Sequence, residues 1–161
     1  MGQISVKASA NLNARPEDVY ATIADYQHGH PHILPAAFSN LQVEQGGYGE
    51  GTIIRFKTKV LGREQSFHHR VSEPEPGHIL IEQDINSAQN VITTFTVTPL
   101  EDDQKSRAEI STTMNASPGL TGVIERILIP FINSRLYQKE LKLLEVVAQK
   151  RSNSPAELQR G

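Results

Sequence analysis

Most of the chain between residues 39 and 115 alternates apolar and polar side chains, interrupted by short turn sequences. Alternation with a period of two is typical of a strand with one buried face. The turns are rich in Gly, Pro, Asp and Ser, so consecutive strands should pair antiparallel. We therefore predict an antiparallel sheet of about seven strands whose dry face needs a cover. The predicted strands cover residues 3–12, 39–45, 52–60, 63–71, 77–85, 89–100 and 104–115.

Helices are predicted on both sides of this region. Pro16, followed by two acidic residues, is typical of a helix start and predicts a helix over residues 16–25. The Gly- and Pro-containing segment after it allows only a short helical turn. From residue 119 to about 150, apolar residues recur at spacings of three and four, which predicts a long helix kinked at Pro130. The fold class is therefore α+β, with a curved sheet around a long C-terminal helix and two short helices after strand one.

Composition limits the class of protein. A chain of 161 residues is long enough for one domain, predicted over 1–150, and the polar residues 151–161 are expected to form a flexible tail. The absence of Cys excludes thiol chemistry and disulfides. A net charge of −2 argues against a general nucleic-acid binder. With no apolar run of membrane-spanning length and no signal peptide, we expect a cytoplasmic protein, as a monomer or a homodimer.

A cavity is expected under the sheet, because a twisted sheet contacts a straight helix along only part of its length. The two-residue turns pair Ile54 with His69, Glu82 with Thr93, and Thr93 with Thr112. A four-residue turn over 74–77 would pair His69 with Glu82. These registers predict a polar row that reads Ile54, His69, Glu82, Thr93 and Thr112. It lies between an apolar row of Val71, Leu80, Phe95 and Ile110 and a third row of Phe56, Phe67, Asp84, Val91 and Met114.

The polar row needs an explanation, since buried polar groups require partners. Its side chains can satisfy one another, bind water, or face the polar part of a bound molecule. A slip of one residue in the turn over 74–77 would direct Glu82 outward and dissolve the row. A filled core with no cavity, as in an interaction module, is a further alternative.

Four segments resemble the START-like superfamily, specifically its polyketide cyclase/dehydrase and lipid-transport group. They are residues 13–20 after the first strand, Asp25 and Tyr26 at the end of the first helix, the Gly-rich residues 46–52, and residues 141–145 of the last helix. The resemblance covers about residues 3–150. It implies the helix-grip fold and a cavity for a hydrophobic small molecule such as a lipid, a polyketide or an aromatic compound. It implies no cofactor and no shared catalytic residues.

The candidate site follows from the predicted rows. We expect binding of a hydrophobic small molecule, and the alternative is a cyclase or dehydratase that uses His69 with Glu82 as acid and base. A metal site at His28, His30 and His32 is disfavoured, because Gly and Pro between them prevent helical ligand spacing. Tyr26 and His30 are expected at the entrance. The predicted ligand-binding residues are Tyr26, His30, Ile54, Phe56, Phe67, His69, Glu82, Thr93, Phe95, Thr112, Met114, Ile124, Leu128 and Phe131.

Overall fold

A computed structural model describes residues 2–153 and shows one seven-stranded antiparallel sheet against a long helix. The strand order is β1-β7-β6-β5-β4-β3-β2, so the consecutive strands from β2 to β7 are joined by hairpins, and β1 pairs with β7 at the other edge. The predicted fold class is confirmed. The strands are β1 (Gln3–Leu12), β2 (Phe38–Gln45), β3 (Ile53–Val60), β4 (Arg63–Glu75), β5 (Ile79–Asp84), β6 (Ile92–Leu100) and β7 (Lys105–Asn115). The helices are α1 (Pro16–Ala24), a 3₁₀ turn (His30–His32) and α2 (Gly119–Asn153).

Three of the four predicted hairpin registers are confirmed. Ile54 pairs with His69, Glu82 with Thr93, and Thr93 with Thr112. The turn between β3 and β4 shows why: Leu61 and Gly62 have φ of 53° and 75°, the left-handed pair that a two-residue hairpin turn requires.

The register across β4 and β5 differs from the prediction. His69 pairs with Asp84, and Val71 with Glu82, because β4 continues to Glu75 and its register shifts between Ser72 and Glu75. The predicted pairing is therefore wrong by two residues along β5. Because side chains along a strand alternate faces with a period of two, Glu82 still faces the inside of the sheet. Asp84 leaves the predicted third row, since it pairs with His69 and not with Phe67.

The two halves of α2 have different environments. Its second half packs against β1 and α1 and buries Leu141, Leu144 and Ala148. Its first half leaves Leu120 and Ile127 exposed. The helix continues without interruption through Pro130 and is described as far as Asn153, three residues beyond the predicted boundary of residue 150. The predicted tail, 151–161, therefore begins with helix, and residues 154–161 of it lie outside the described residues.

Candidate functional site

A cavity of about 680 Å³ lies between the inner face of the sheet and α2. This volume excludes the filled core. Twelve predicted residues line it: His30, Ile54, Phe56, Phe67, His69, Glu82, Thr93, Phe95, Thr112, Met114, Ile124 and Leu128. Partly exposed apolar residues such as Phe56, Ile124 and Leu128 form the mouth. The buried polar side chains form the inner end.

Tyr26 and His30 do not lie at the entrance. They are only 1% and 3% exposed, and their rings stack with centroids 4.5 Å apart. The residues after α1 fold inward, so that His30 packs edge-on against Phe95 and its Nδ1 lies 2.8 Å from the Ile23 carbonyl oxygen. Tyr26 is outside the lining, and its hydroxyl donates a 2.6 Å hydrogen bond to Glu82.

Phe131 does not line the cavity either. Its side chain is 58% exposed, and the guanidinium of Arg135 lies 4.4 Å from its ring centroid. The lining follows the i+4 spacing from Leu128 through Ile132 to Leu136. Because each residue advances the helix by about 100°, Phe131 lies about 60° from Leu128 and about 100° from Ile132, on the side of the helix away from Leu136.

His69 lies between two carboxylates on the sheet side of the inner end. Its Nε2 is 2.9 Å from Asp84 Oδ1, and its Nδ1 is 3.7 Å from Glu82 Oε2. The Nδ1 contact is too long for a hydrogen bond and the Nε2–H is not directed well enough for one, so both contacts are ion pairs. Burial alone lowers the pKa of His69, but the two carboxylates outweigh it and raise this pKa to about 9. His69 is therefore cationic at neutral pH.

The two carboxylates remain ionised despite their burial. Burial raises the pKa of Glu82, but His69, His30 and the Tyr26 hydroxyl together hold it below its usual value. Burial likewise raises the pKa of Asp84, and His69 together with the backbone N–H of Val91, 2.8 Å from Oδ2, lowers it overall. The sheet side thus carries two negative charges and one positive charge.

Glu140, on the helix side, was missed by the sequence prediction. It is 3% exposed, lines the cavity, and makes no hydrogen bond or ion pair with residues 2–153. Burial and the charge of Glu82 raise its pKa well above the usual range, which favours the un-ionised acid. Its position in the sequence could have indicated its burial, because Glu140 lies three residues after Tyr137 and four before Leu144, on the buried stripe of α2.

Three hydroxyl groups connect the helix to the sheet. The hydroxyls of Thr93 and Thr112 share a 2.8 Å hydrogen bond, and those of Thr112 and Tyr137 share one of 2.5 Å. The two threonines of the predicted polar row therefore satisfy each other. Burial, opposed by the Thr112 hydroxyl and reinforced by Glu140, raises the pKa of Tyr137 to about 12, so Tyr137 stays protonated.

The site thus combines an ionised carboxylate, Glu82, with an un-ionised acid, Glu140, in one enclosed volume. Such a pair can bind a polar group inside an apolar cavity, or can accept and donate protons. Within residues 2–153, no three His, Cys, Asp or Glu side chains are arranged to hold a metal ion. None of the helices in that range is long and apolar enough to cross a membrane.

A curved sheet that wraps around a long helix, with a cavity between the two, defines a helix-grip protein. The sequence profile described as polyketide cyclase / dehydrase and lipid transport matches residues 3–149, and the chain belongs to this family. The NMR structure of KanY protein (ms6282) is 30% identical and superposes with a TM-score of 0.79 over 92% of this chain and 99% of that chain. No curated protein matches the sequence.

Two more distant structures share the fold. The Zhui aromatase/cyclase from Streptomyces sp. R1128 is 15% identical, with a TM-score of 0.77 over 96% of this chain and 99% of that chain. Norcoclaurine synthase from Thalictrum flavum, in complex with dopamine and hydroxybenzaldehyde, is 18% identical, with a TM-score of 0.67 over 92% of this chain and 88% of that chain. At these identities the likeness concerns the fold alone.

Proposed function

We propose that this protein binds a hydrophobic small molecule, with an apolar body at the mouth of the cavity and a polar group at its inner end. The cavity of about 680 Å³ carries the proposal, because it combines an apolar mouth with a buried polar end. Burial of the ligand's apolar surface would contribute about 25 cal/mol per Å², before the cost of ordering it. The polar side chains would fix its orientation.

A matched pair of substitutions on α2 tests this proposal. Leu128 lines the cavity, whereas its neighbour Ile127 is 68% exposed and does not. Leu128→Trp should fill the mouth and weaken binding of the neutral probe 2-ethylnaphthalene by more than about tenfold, since the larger side chain would occupy volume that the probe needs. Ile127→Trp should leave the affinity within about twofold. Equal affinities of the two variants would refute binding in this cavity. So would a wild-type protein that fails to bind the probe, as measured by equilibrium dialysis.

Acid–base catalysis is a second candidate, favoured by the ionised Glu82 and un-ionised Glu140 in the same cavity. In a dehydration of a β-hydroxy ketone, Glu82 would remove the α-proton and Glu140 would protonate the departing hydroxyl. The C–O bond breaks, the C=C bond forms and water leaves. His69, which is already protonated and lies between two carboxylates, would hold Glu82 in place and would not act as the base.

The probe for this second candidate is 4-hydroxy-4-phenylbutan-2-one, whose dehydration to 4-phenylbut-3-en-2-one is followed by ultraviolet absorbance. If the protein is a dehydratase, Glu82→Gln and Glu140→Gln should each lower turnover by about 100-fold or more while the affinity for 2-ethylnaphthalene persists. Wild-type turnover no faster than in buffer would exclude this chemistry for the probe and leave binding as the function.

A further inference from the structure

Within residues 2–153, one buried polar side chain at the inner end of the cavity has no hydrogen bond or ion pair. Tyr26 is bonded to Glu82, His30 contacts the Ile23 carbonyl, and Thr93 is bonded to Thr112. Glu140 alone is buried among the lining residues without a hydrogen bond or ion pair to the part of the chain described. A buried polar group left unpaired costs free energy, so a ligand that displaces water from Glu140 must replace its hydrogen bond.

A second donor lies beside Glu140. Tyr137 is three residues earlier on α2, so both side chains project from the same face of the helix into the cavity. The hydroxyls of Thr93, Thr112 and Tyr137 contain three hydrogens, and their two mutual bonds use two of them. When the chain of donors runs from Thr93 to Tyr137, the hydrogen that remains is on Tyr137.

The charge of the opposite wall limits which ligands Tyr137 and Glu140 can bind. The sheet wall opposite carries Glu82 and Asp84 as carboxylates and His69 as a cation, which is a net negative charge, and the His30 imidazole lies beside this wall with its Nε2 3.6 Å from Glu82 Oε1. An anionic ligand would be repelled there at low dielectric. A neutral carbonyl oxygen has two lone pairs and no charge, so it can accept from both O–H groups at once.

We propose that Tyr137 and Glu140 together hold the carbonyl oxygen of a neutral ligand, and that the cavity selects aromatic or aliphatic ketones over carboxylates of the same skeleton. This proposal rests on the proposed binding function and adds the chemistry of the ligand's polar group. It assigns the specificity to α2, whereas the sequence placed the polar contacts on the sheet.

Three probes that share one ring system test the proposal: 2-acetylnaphthalene, 2-ethylnaphthalene and 2-naphthoate. Their dissociation constants are measured at neutral pH by equilibrium dialysis. The wild type should bind the ketone about tenfold tighter than the ethyl compound, and 2-naphthoate weaker than either. Equal binding of ketone and ethyl compound, or binding of 2-naphthoate as tight as that of the ketone, would overturn the proposal.

Substitutions on α2 test which residues cause the preference for the ketone over the ethyl compound. Glu140→Leu should reduce the ratio of ketone to ethyl affinity to within about twofold of one, while the ethyl compound still binds, which shows that the cavity persists. Glu140→Gln keeps an N–H donor and should retain most of the preference, and Tyr137→Phe should lower it by about fivefold. Gln138→Leu, on the exposed face of the same helix, should leave it unchanged.

The outcomes separate this proposal from the one on which it rests. A wild type that binds none of the three probes would refute the binding function itself. Binding of 2-ethylnaphthalene without a ketone preference would refute only the role of Tyr137 and Glu140. If Glu140→Leu fails to fold, the ratios in Glu140→Gln and Tyr137→Phe decide the question, since a preference unchanged in Tyr137→Phe contradicts the paired donors.

Discussion

The two walls that face each other across the inner end bury carboxyl groups in opposite ways. On the sheet wall, Glu82 and Asp84 flank His69 and stay charged, because each has a cationic partner. On the helix wall, Glu140 has no such partner among residues 2–153, and burial together with the charge of Glu82 favours its un-ionised form. Burial is similar for Glu82 and Glu140, at 6% and 3% exposure, so the neighbours decide the charge state. The sheet wall thus supplies a set of buried ion pairs with a net negative charge. The helix wall supplies a hydrogen-bond donor, the carboxylic acid of Glu140, that is free to bind a ligand.

The largest effect should follow from removing the cation of the sheet wall. His69→Leu leaves two buried carboxylates without their partner and should lower the free energy of unfolding by about 3–5 kcal/mol, as measured by urea denaturation at neutral pH. The neighbouring His68 is on the opposite face, where it contacts Glu44 at 2.8 Å with both side chains partly exposed. His68→Leu should cost less than about 1 kcal/mol. Comparable losses in the two variants would mean that the buried charges are not coupled.

The pH dependence of stability should report the same ion pairs. The pKa of His69 is raised in the folded state from 6.5 to about 9, so its contribution is complete below about pH 6.5 and is lost as the pH rises through about 9. This loss should be up to about 3 kcal/mol, since each pKa unit corresponds to about 1.4 kcal/mol. It is measured by urea denaturation between pH 6 and pH 10. A decline of the same size in His69→Leu would assign it to other groups.

The helix wall should respond to pH in the opposite sense. The folded-state pKa of Glu140 is raised, so the folded protein carries a penalty that is absent at acid pH and grows as the pH rises above the ordinary glutamate value of about 4.5. Glu140→Gln cannot ionise and should therefore become more stable than the wild type by up to about 1.4 kcal/mol per pH unit over that range. The difference in the free energy of unfolding between Glu140→Gln and the wild type should therefore increase from pH 4 to pH 7.

Glu101→Gln provides the control for this measurement. Glu101 is a surface residue whose side chain is 72% exposed and lies 3.4 Å from Lys105. Its substitution should change the free energy of unfolding by less than about 0.5 kcal/mol at any pH from 4 to 7. A Glu140→Gln variant that follows the wild type across this range would show that Glu140 is ionised in the folded protein.

The sheet wall was more predictable from the sequence than the helix wall. Two-residue turns fix hairpin registers, so the pairing of Ile54 with His69 and of Thr93 with Thr112 followed from counting residues. The turn beyond β4 could not be counted in this way, because the register shift between Ser72 and Glu75 depends on how that strand bends. Even there the alternation of faces kept Glu82 inside.

The residues of the helix wall were harder to predict from the sequence, for a physical reason. The first half of α2 is apolar on more than one side, as exposed Ile127 and lining Leu128 show, so its periodicity did not determine which side faces the cavity. That ambiguity placed Phe131 in the site. In the second half of α2, the buried stripe is apolar apart from Glu140. Because carboxylates are rarely buried, Glu140 was not predicted as a site residue.

The charge states of Glu82 and Glu140 test the account most directly. Carbon-13 NMR of protein labelled at the side-chain carboxyl carbons of glutamate distinguishes ionised from un-ionised acids. At pH 7 we predict one signal at the position of an un-ionised carboxylic acid, absent from Glu140→Gln, while the signal missing from Glu82→Gln has the position of a carboxylate. Spectra in which every glutamate is ionised at pH 7, or in which Glu82 is the un-ionised acid, would contradict the contrast between the two walls.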